Sequence, residues 1–589
     1  MQIKRKIEEE QSKNQNFKNL ISVKYQEWLQ KENDKKLENE LCEKFNLNPI
    51  VSKLLSIRKI FPENIQNFFN PKIKNLLPDP SVLHHMDLAT DKIVELILKK
   101  KKFGIFGDYD VDGTTSTVIL CQYLKEIGID YEFYIPDRQK EGYGPNINAF
   151  EKLITKECQI ILTLDCGTTS FKEINFARKK NIDVIVVDHH KEGNGLPSAY
   201  AIVNPNKKKD KSNLKNLCAA AVTFFVIVSV NRKLKQSGFF KSSSPNLIEY
   251  LDLVALATVC DVVKLDLINR TFVKQGLKIL NKSKNLGLIS LLNEAQVKTD
   301  INDYHLGYIL GPRINAGGRM GNSSLGAKLL LSTDQSIASV MAKRLDDYNS
   351  LRKKVEKIVE SEAIKMVREN EKIICVNSKE WHEGVIGIVA SKLTEKFNRP
   401  SIVISEQNTI CKGSCRSIGD FDMGELILEA LEIEILESGG GHKMAGGFSI
   451  RLDKIKKFKT FLDDKYRKSR KEITKFYDSE IKLSSINNEF FFEVEKLSPF
   501  GPGNPRPKFL IRNCFLKYSK IVGENHLSCF FEDVYGNGIR GIAFNAVKNE
   551  ISTIVESNIS EVDLICSIKL NRWNNDEKTE LQIEDVIIN

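Results

Sequence analysis

A chain of 589 residues is too long for one hydrophobic core and predicts about three or four domains. Its 41% hydrophobic content matches packed globular domains, no apolar run is long enough to span a bilayer, and a net charge of +11 favours an anionic partner. Twelve scattered cysteines without a C-x-x-C pair disfavour a zinc ribbon or a disulfide framework and fit reduced cytoplasmic thiols.

The first residues, MQIKRKIEEEQSKNQ, carry acids at once and no apolar segment after the basic ones, so neither a secretory signal nor an organellar leader is expected. A helical segment is expected over residues 1–75. The pair His84–His85 follows, ahead of an amphipathic helix and with no apolar strand before it, so it reads as a surface or packing feature.

Residues 104–116, GIFGDYDVDGTTS, set Asp108, Asp110 and Asp112 at alternate positions after a short apolar run. In a strand this spacing aims all three carboxylates one way, at the end of a buried parallel strand where open α/β sheets bind ligands. A calcium loop beginning at Asp108 would need Glu at its twelfth position, and Ile119 stands there. Beyond the next strand, YIPDRQKEGYGP places Arg138 and Tyr143 on a substrate-side loop. CQIILTLDCGTTS then ends a strand in Asp165, and IDVIVVDHH ends another in Asp188, His189 and His190. FKEINFARKKN between them reads as a crossover helix, giving the rhythm of a parallel sheet. The apolar, helix-like run LDLVALATVC leads to Asp261. Carboxylates with one or two imidazoles, brought to one crevice, suit Mn²⁺ or Mg²⁺ better than a thiolate-held zinc.

GPRINAGGR offers Arg313, Asn315 and Arg319 among small residues, as a phosphate-gripping turn. The long helical periodicity after Gly326 predicts a strut between two domains. KGSCRS and SGGGHKMAGGF supply Ser414, Arg416 and His442 beside glycine runs whose N–H groups cradle an anion. From about residue 471 short alternating runs, with a hairpin signal at Gly536–Gly538, suit a five-stranded barrel that binds single strands. Phe515, Tyr518, Phe530 and Phe531 are its available aromatics, with core and stacking roles undivided. No G-x-x-x-x-G-K-[ST] motif occurs, so no ATP use is expected.

In this order DYDVDG, TLDCG, VVDHH and VCDVV resemble the four signature motifs of the DHH phosphoesterase superfamily. LGPRINAGGRM, WHEGVIGIVASKLTEKFNRPSIV, KGSCRS, SGGGHKMAGGF and LSPFGPGNPRPKF extend the resemblance to the RecJ-type single-strand-specific DNA exonucleases. It implies an α/β fold: a parallel-sheet DHH domain over 76–330, a connecting helix over 331–371, a DHH-associated (DHHA1) substrate domain over 372–455 and an OB-type barrel over 471–589. It implies 5′→3′ hydrolysis of single-stranded DNA in repair and recombination, in the cytoplasm, with a helicase and a single-strand-binding protein as partners. Two Mn²⁺ or Mg²⁺ ions are implied, one on Asp110, Asp165, His189 and Asp261, the other on Asp108 and the shared Asp165. His190 would face the scissile phosphate, with Asp112 and Asp188 as supports. Related enzymes often carry His shortly before the first Asp; Ile105 or Phe106 stands there, which implies a looser second ion. Two alternatives are a superfamily phosphodiesterase for short oligonucleotides, disfavoured by length and barrel, and a non-catalytic DNA-binding scaffold, disfavoured because every ligand is present.

Overall fold

The computed structural model describes residues 20–24, 26–369, 371–407, 409–419, 421–465, 474–547, 549–552, 561–573 and 576–588. These fall into two compact units, one within Lys72–Arg470 and one combining Met1–Pro71 with Lys471–Asn589. Among the described residues no helix is long and apolar enough to cross a membrane, and none of the twelve cysteines is in a disulfide.

The larger unit begins with five parallel strands in the order Tyr131–Tyr134, Phe103–Gly107, Ile160–Leu164, Asp183–Val187 and Ala201–Val203. Phe103–Gly107 and Ile160–Leu164 are buried at every position, because helices cover both faces of the sheet. Alternation sorts their side chains. Ile105, Leu162, Leu164, Ile185 and Val187 meet helices Val111–Glu126, Ala219–Gln236 and Leu251–Cys260, whereas Phe106, Ile161, Val184 and Val186 meet Phe150 and Ile174 on the opposite face. Each such buried side chain contributes about 1.5–3 kcal/mol. Phe106 is a core residue: its ring centroid lies 6.0 Å from those of Tyr134 and Phe150.

Helix Gln335–Met366, 32 residues and about 48 Å long at 1.5 Å per residue, leads to the second half of this unit. It is no bare strut. Ala338, Ala342 and Leu345 lie in the core of the first half, Val359 and Ala363 in that of the second. Lys392 of helix Ile386–Phe397 ties it further, 2.8 Å from Glu356 and 2.5 Å from Glu360. The second half is a mixed sheet in the order Ser438–His442, Ala445–Arg451, Ile410–Arg416, Ser401–Ser405, Ile374–Ser378. The glycine run expected to cradle an anion is its edge strand, paired through Gly440↔Gly447 and Gly441↔Gly446. Successive N–H groups of a strand point to opposite sides, so this run does not form the concave nest that turn conformations make.

In the smaller unit five strands, Phe509–Val522, His526–Glu532, Gly538–Ala543, Asp576–Ile587 and Glu561–Trp573, close into a barrel because the first also pairs with the last. Register shifts at Ile511/Cys514 and Leu516/Tyr518 bend that first strand enough to serve both neighbours. Phe531 is in the core, Phe515 is half-buried, and Tyr518 stays 54% exposed, with Phe530 stacked on it at 5.1 Å and 4°. Helices Lys35–Phe45 and Pro49–Ile57 share the barrel's core: Leu41, Val51 and Leu54 pack in one cluster with Phe490, Phe509 and Leu564. The N-terminal segment, expected to be helical, also contains strands Leu20–Ile21 and Glu27–Gln30; residues 1–19 lie outside the described ones. Glu27–Gln30 pairs in parallel with Lys475–Tyr477, and buried Trp28 donates its indole N–H to Asp585 at 2.9 Å. Partners this distant in sequence leave no local periodicity to read.

Candidate metal centre and phosphate grip

Three of the four acidic stretches start where a parallel strand stops. Asp108, Asp165 and Asp188 follow Gly107, Leu164 and Val187, which the pairing register sets side by side. The fourth, Asp261, terminates helix Leu251–Cys260. The alternation of Asp108, Asp110 and Asp112 does not express one strand face, because the strand has already ended. Asp110 is the N-cap of helix Val111–Glu126, accepting from the Gly113 N–H at 3.1 Å, and Asp112 lies in its first turn. Asp112 instead accepts the first N–H groups of helix Ala219–Gln236, from Ala219 at 2.6 Å and Ala220 at 2.8 Å. There it satisfies orphan donors and complements the helix dipole.

His189 Nε2 lies 3.2 Å from Asp165, 3.6 Å from Asp112 and 3.7 Å from Asp261. Three overlapping groups of ligand atoms, each within 4.8 Å, result: Asp108 with Asp110 and Asp165; Asp165 with His189 and His190; Asp112 with His189 and Asp261. Asp165 alone among the carboxylates belongs to two groups, and its backbone sits at φ 62°, a strained conformation for a non-glycine residue. Oδ1 of Asp108, Oδ1 of Asp165 and Oδ2 of Asp261 are buried without a hydrogen-bond partner. Burial, and then neighbouring carboxylates, hold Asp108 and Asp165 well above the usual carboxylate range and push Asp261 up to about 9. Orphaned acceptors this crowded fit a site completed by cations. The oxygen-rich donor set suits Mn²⁺ or Mg²⁺, and the nearby thiols are turned away, Cys166 onto the Leu164 carbonyl and Cys260 onto that of Leu306.

Asp188 points elsewhere. It accepts from the Thr168 N–H at 3.0 Å, the His189 backbone N–H at 2.7 Å and His190 Nδ1 at 2.8 Å, so it orients the His190 imidazole and holds the backbone that carries His189. The Tyr143 hydroxyl donates to the Asp165 carbonyl at 3.1 Å and lies 3.2 Å from His190 Nδ1.

Three family models match the chain: the DHH family, N-terminal domain, over residues 102–258; the DHHA1 domain over 370–468; and the RecJ OB domain over 477–585. The single-stranded-DNA-specific exonuclease RecJ of Bacillus subtilis is 32% identical over 583 residues, covering 97% of this chain and 72% of that protein. This chain belongs to the RecJ family. Crystal structures of RecJ from Thermus thermophilus in complex with Mn²⁺ and with Mg²⁺, both 26% identical, match 94% of the chain. Their TM-scores are 0.78 and 0.72, over 78% and 76% of their own chains.

Within this RecJ architecture the expected phosphate-binding residues divide. Arg138, Arg319 and Arg416 converge: burial and then Arg138 depress Arg319 to about 9, and burial, with Arg138 adding to it, lowers Arg416. Ser414 Oγ lies 3.4 Å from Arg416 Nη1, next to the start of helix Ile386–Phe397, which has no side-chain cap. A Cβ on Gly387 would sit 3.0 Å from Ser414 Oγ, so glycine keeps that helix end open. Mutually repelling guanidiniums, a hydroxyl and free helical N–H groups together suit a phosphate. Arg313 does not join them. GPRINAGGRM is helix Gly311–Met320 rather than a turn, with Gly317 against Leu345 of helix Gln335–Met366, and Arg313 faces Asp346 at 2.8 Å. His442 lies on the edge strand; burial, then the charges of Lys191, His190 and His189, lower its pKa, which places it near the His189–His190 pair.

Two residues escaped the sequence reading. Asn206 donates to the His189 carbonyl at 2.6 Å, and Asn204 to the His190 carbonyl at 2.9 Å. Both follow strand Ala201–Val203, so AIVNPN carried the same strand-end signal as the acids, in a form without charge.

Proposed function

We propose that this chain is a metal-dependent exonuclease that hydrolyses single-stranded DNA from the 5′ end and releases nucleotides. The observation that carries the reading is the cluster of partnerless carboxylate oxygens in the same unit as an arginine–serine grip for phosphate. Asp108, Asp110, Asp165, His189 and Asp261 would hold Mn²⁺ or Mg²⁺, with Asp165 shared between two ions. Two such ions, when bound, supply a nucleophilic water at neutral pH and neutralise charge on the scissile phosphate. The chain's own residues do the positioning. Asp188 fixes the His190 imidazole, Asn204 and Asn206 hold the backbone of both histidines, and Asp112 pins the acidic turn to helix Ala219–Gln236. His190, held by Asp188 and beside the Tyr143 hydroxyl, faces the phosphate. Arg138, Arg319, Ser414 and Arg416 grip the 5′-terminal phosphate, and the spacing from that grip to the carboxylates selects the bond that is cut. On the barrel, the exposed Tyr518, backed by half-buried Phe530, stacks bases of the incoming strand, at about 1–3 kcal/mol per base. The enzyme works in the cytoplasm on strands that a helicase opens and a single-strand-binding protein presents.

Digestion of single strands labelled at either end, with Mn²⁺ or EDTA, tests this. A 5′ label should appear in short products at once, a 3′ label late, and EDTA should stop both. Absence of cleavage in Mn²⁺, or equal cleavage of blunt duplex, would sink the proposal. The barrel's share is best tested by Tyr518→Ala with Phe530→Ala, since removing residues 471–589 would also strip the core from Leu41, Val51 and Leu54. The double variant should shorten processive runs on long strands.

A further inference from the structure

Six residues, His305–Leu310, form a π-helical turn leading into helix Gly311–Met320. Such widened turns are rare and concentrate at functional sites. This one is pressed against the last turn of helix Leu251–Cys260, immediately before Asp261. Cys260 donates its S–H to the Leu306 carbonyl at 3.4 Å. A Cβ on Gly311 would lie 2.5 Å from Cys260 Sγ, so only glycine permits the approach. Leu306 and Leu310 face the core. Tyr304 and Tyr308 face solvent, 56% and 71% exposed, with their rings stacked at 5.2 Å and 21°. Val262, the residue after Asp261, is also exposed, at 65%, and is held at φ 57°, a strained conformation for a β-branched side chain.

Two large aromatic faces left in water, on a turn bolted to a metal-ligand candidate, have no role in the fold that needs their exposure. Burying them would be favourable, and something must offer flat apolar surface to do so. We infer that Tyr304 and Tyr308 form a stacking platform for nucleobases of the single strand next to the scissile bond. The inference rests on the nuclease reading and extends it: the arginine–serine grip takes the phosphate, and this platform takes bases on the Asp261 side of the centre. It also gives Arg313 a purpose. Arg313 Nη1 donates to the Ile309 carbonyl at 2.9 Å while its Nε faces Asp346, so it is a positioning residue that fastens the turn to helix Gln335–Met366.

The test uses the full chain with strands carrying 2-aminopurine at successive positions from the 5′ end, bound in EDTA so that no cleavage is needed. Wild type should quench the probe at one or two positions near that end. Tyr304→Ala and Tyr308→Ala should abolish the quenching and weaken binding by between about fivefold and about 150-fold, whereas Tyr304→Phe and Tyr308→Phe keep both. On strands with abasic sites at those positions the Ala variants should bind as wild type does. Unchanged quenching in the Ala variants, equal losses on abasic strands, or Phe variants as weak as Ala would each overturn the platform. Failure of the nuclease reading shows separately, as absence of cleavage by wild type in Mn²⁺.

Discussion

The chain contains two His-His pairs in the same unit, and they have opposite chemistry. At His189–His190 the rings meet edge to face, His189 faces three carboxylates, and the Asp188 hydrogen bond overcomes burial to carry His190 up to about 9. At His84–His85 the rings stack at 4.1 Å, His85 Nδ1 accepts the Ile202 N–H at 3.2 Å, and burial with nearby Lys207 takes His85 down to about 4. One dipeptide thus yields a ring tied to a carboxylate and a ring that accepts from the backbone. The difference lies in what ends the neighbouring strands: acids around one pair, a buried lysine beside the other, donating to the carbonyls of His84 and Ile202. A histidine pair by itself carries no information about metal.

The largest test of that contrast removes the shared acid. Asp165→Ala should lower kcat/KM at least about a thousandfold, beyond the 10–100-fold typical of residues that only orient ligands. Calorimetry should show both Mn²⁺ binding events lost, while circular dichroism keeps the folded signal. Wild-type turnover in Mn²⁺ would falsify the two-ion assignment. Asp188→Asn, which keeps the shape but loses the charge under His190, should raise the Mn²⁺ concentration for half-maximal activity by about 10–100-fold. Asn206→Ala removes one bond to the His189 carbonyl and should shift the same midpoint only about two- to tenfold; no shift would make Asn206 a bystander.

The smallest effect belongs to the other pair. His85 is held below its ordinary value of 6.5, so between about pH 6.5 and 4 the unfolded chain binds more protons than the folded one. Its contribution is complete above pH 6.5 and is lost as pH falls towards 4. Asn tolerates the left-handed φ of 72° at this position and retains an acceptor oxygen. His85→Asn should therefore match wild type in kcat and in urea midpoint at pH 7, yet lose less stability at pH 5. The gain is under about 2 kcal/mol, reduced further by solvent screening. Parallel pH profiles for the two proteins would refute it.

Where a residue's role followed from its neighbours in sequence, it was legible. The buried strands ending in Asp108, Asp165 and Asp188 were read from apolar runs, and the hairpin at Gly536–Gly538 from its turn residues. Roles set by distant partners were not. Arg313 and Arg319 look alike in GPRINAGGR, but Asp346 claims one, and the other reaches the Gly384 carbonyl at 2.9 Å. Asp112 looked like a third carboxylate on one strand face until the N-cap at Asp110 turned the chain into a helix. Phe106, just before the first Asp, is committed by strand alternation to the apolar face. Aromatic residues of the barrel separate only once register is known, Phe531 inward and Tyr518 outward.

The barrel core has a consequence in time. Helices made from residues 35–57 are completed by strands that begin at residue 509, with the whole of Lys72–Arg470 between. At about 5–20 residues per second, a ribosome takes roughly 20–80 s to cross that interval of about 400 residues. Throughout it Leu41, Val51 and Leu54 are without their final partners, while Lys72–Arg470 emerges with its own cores in one continuous stretch. A segment made before Lys72–Arg470 is thus finished after it. For that interval its apolar face is open to chaperones and proteases.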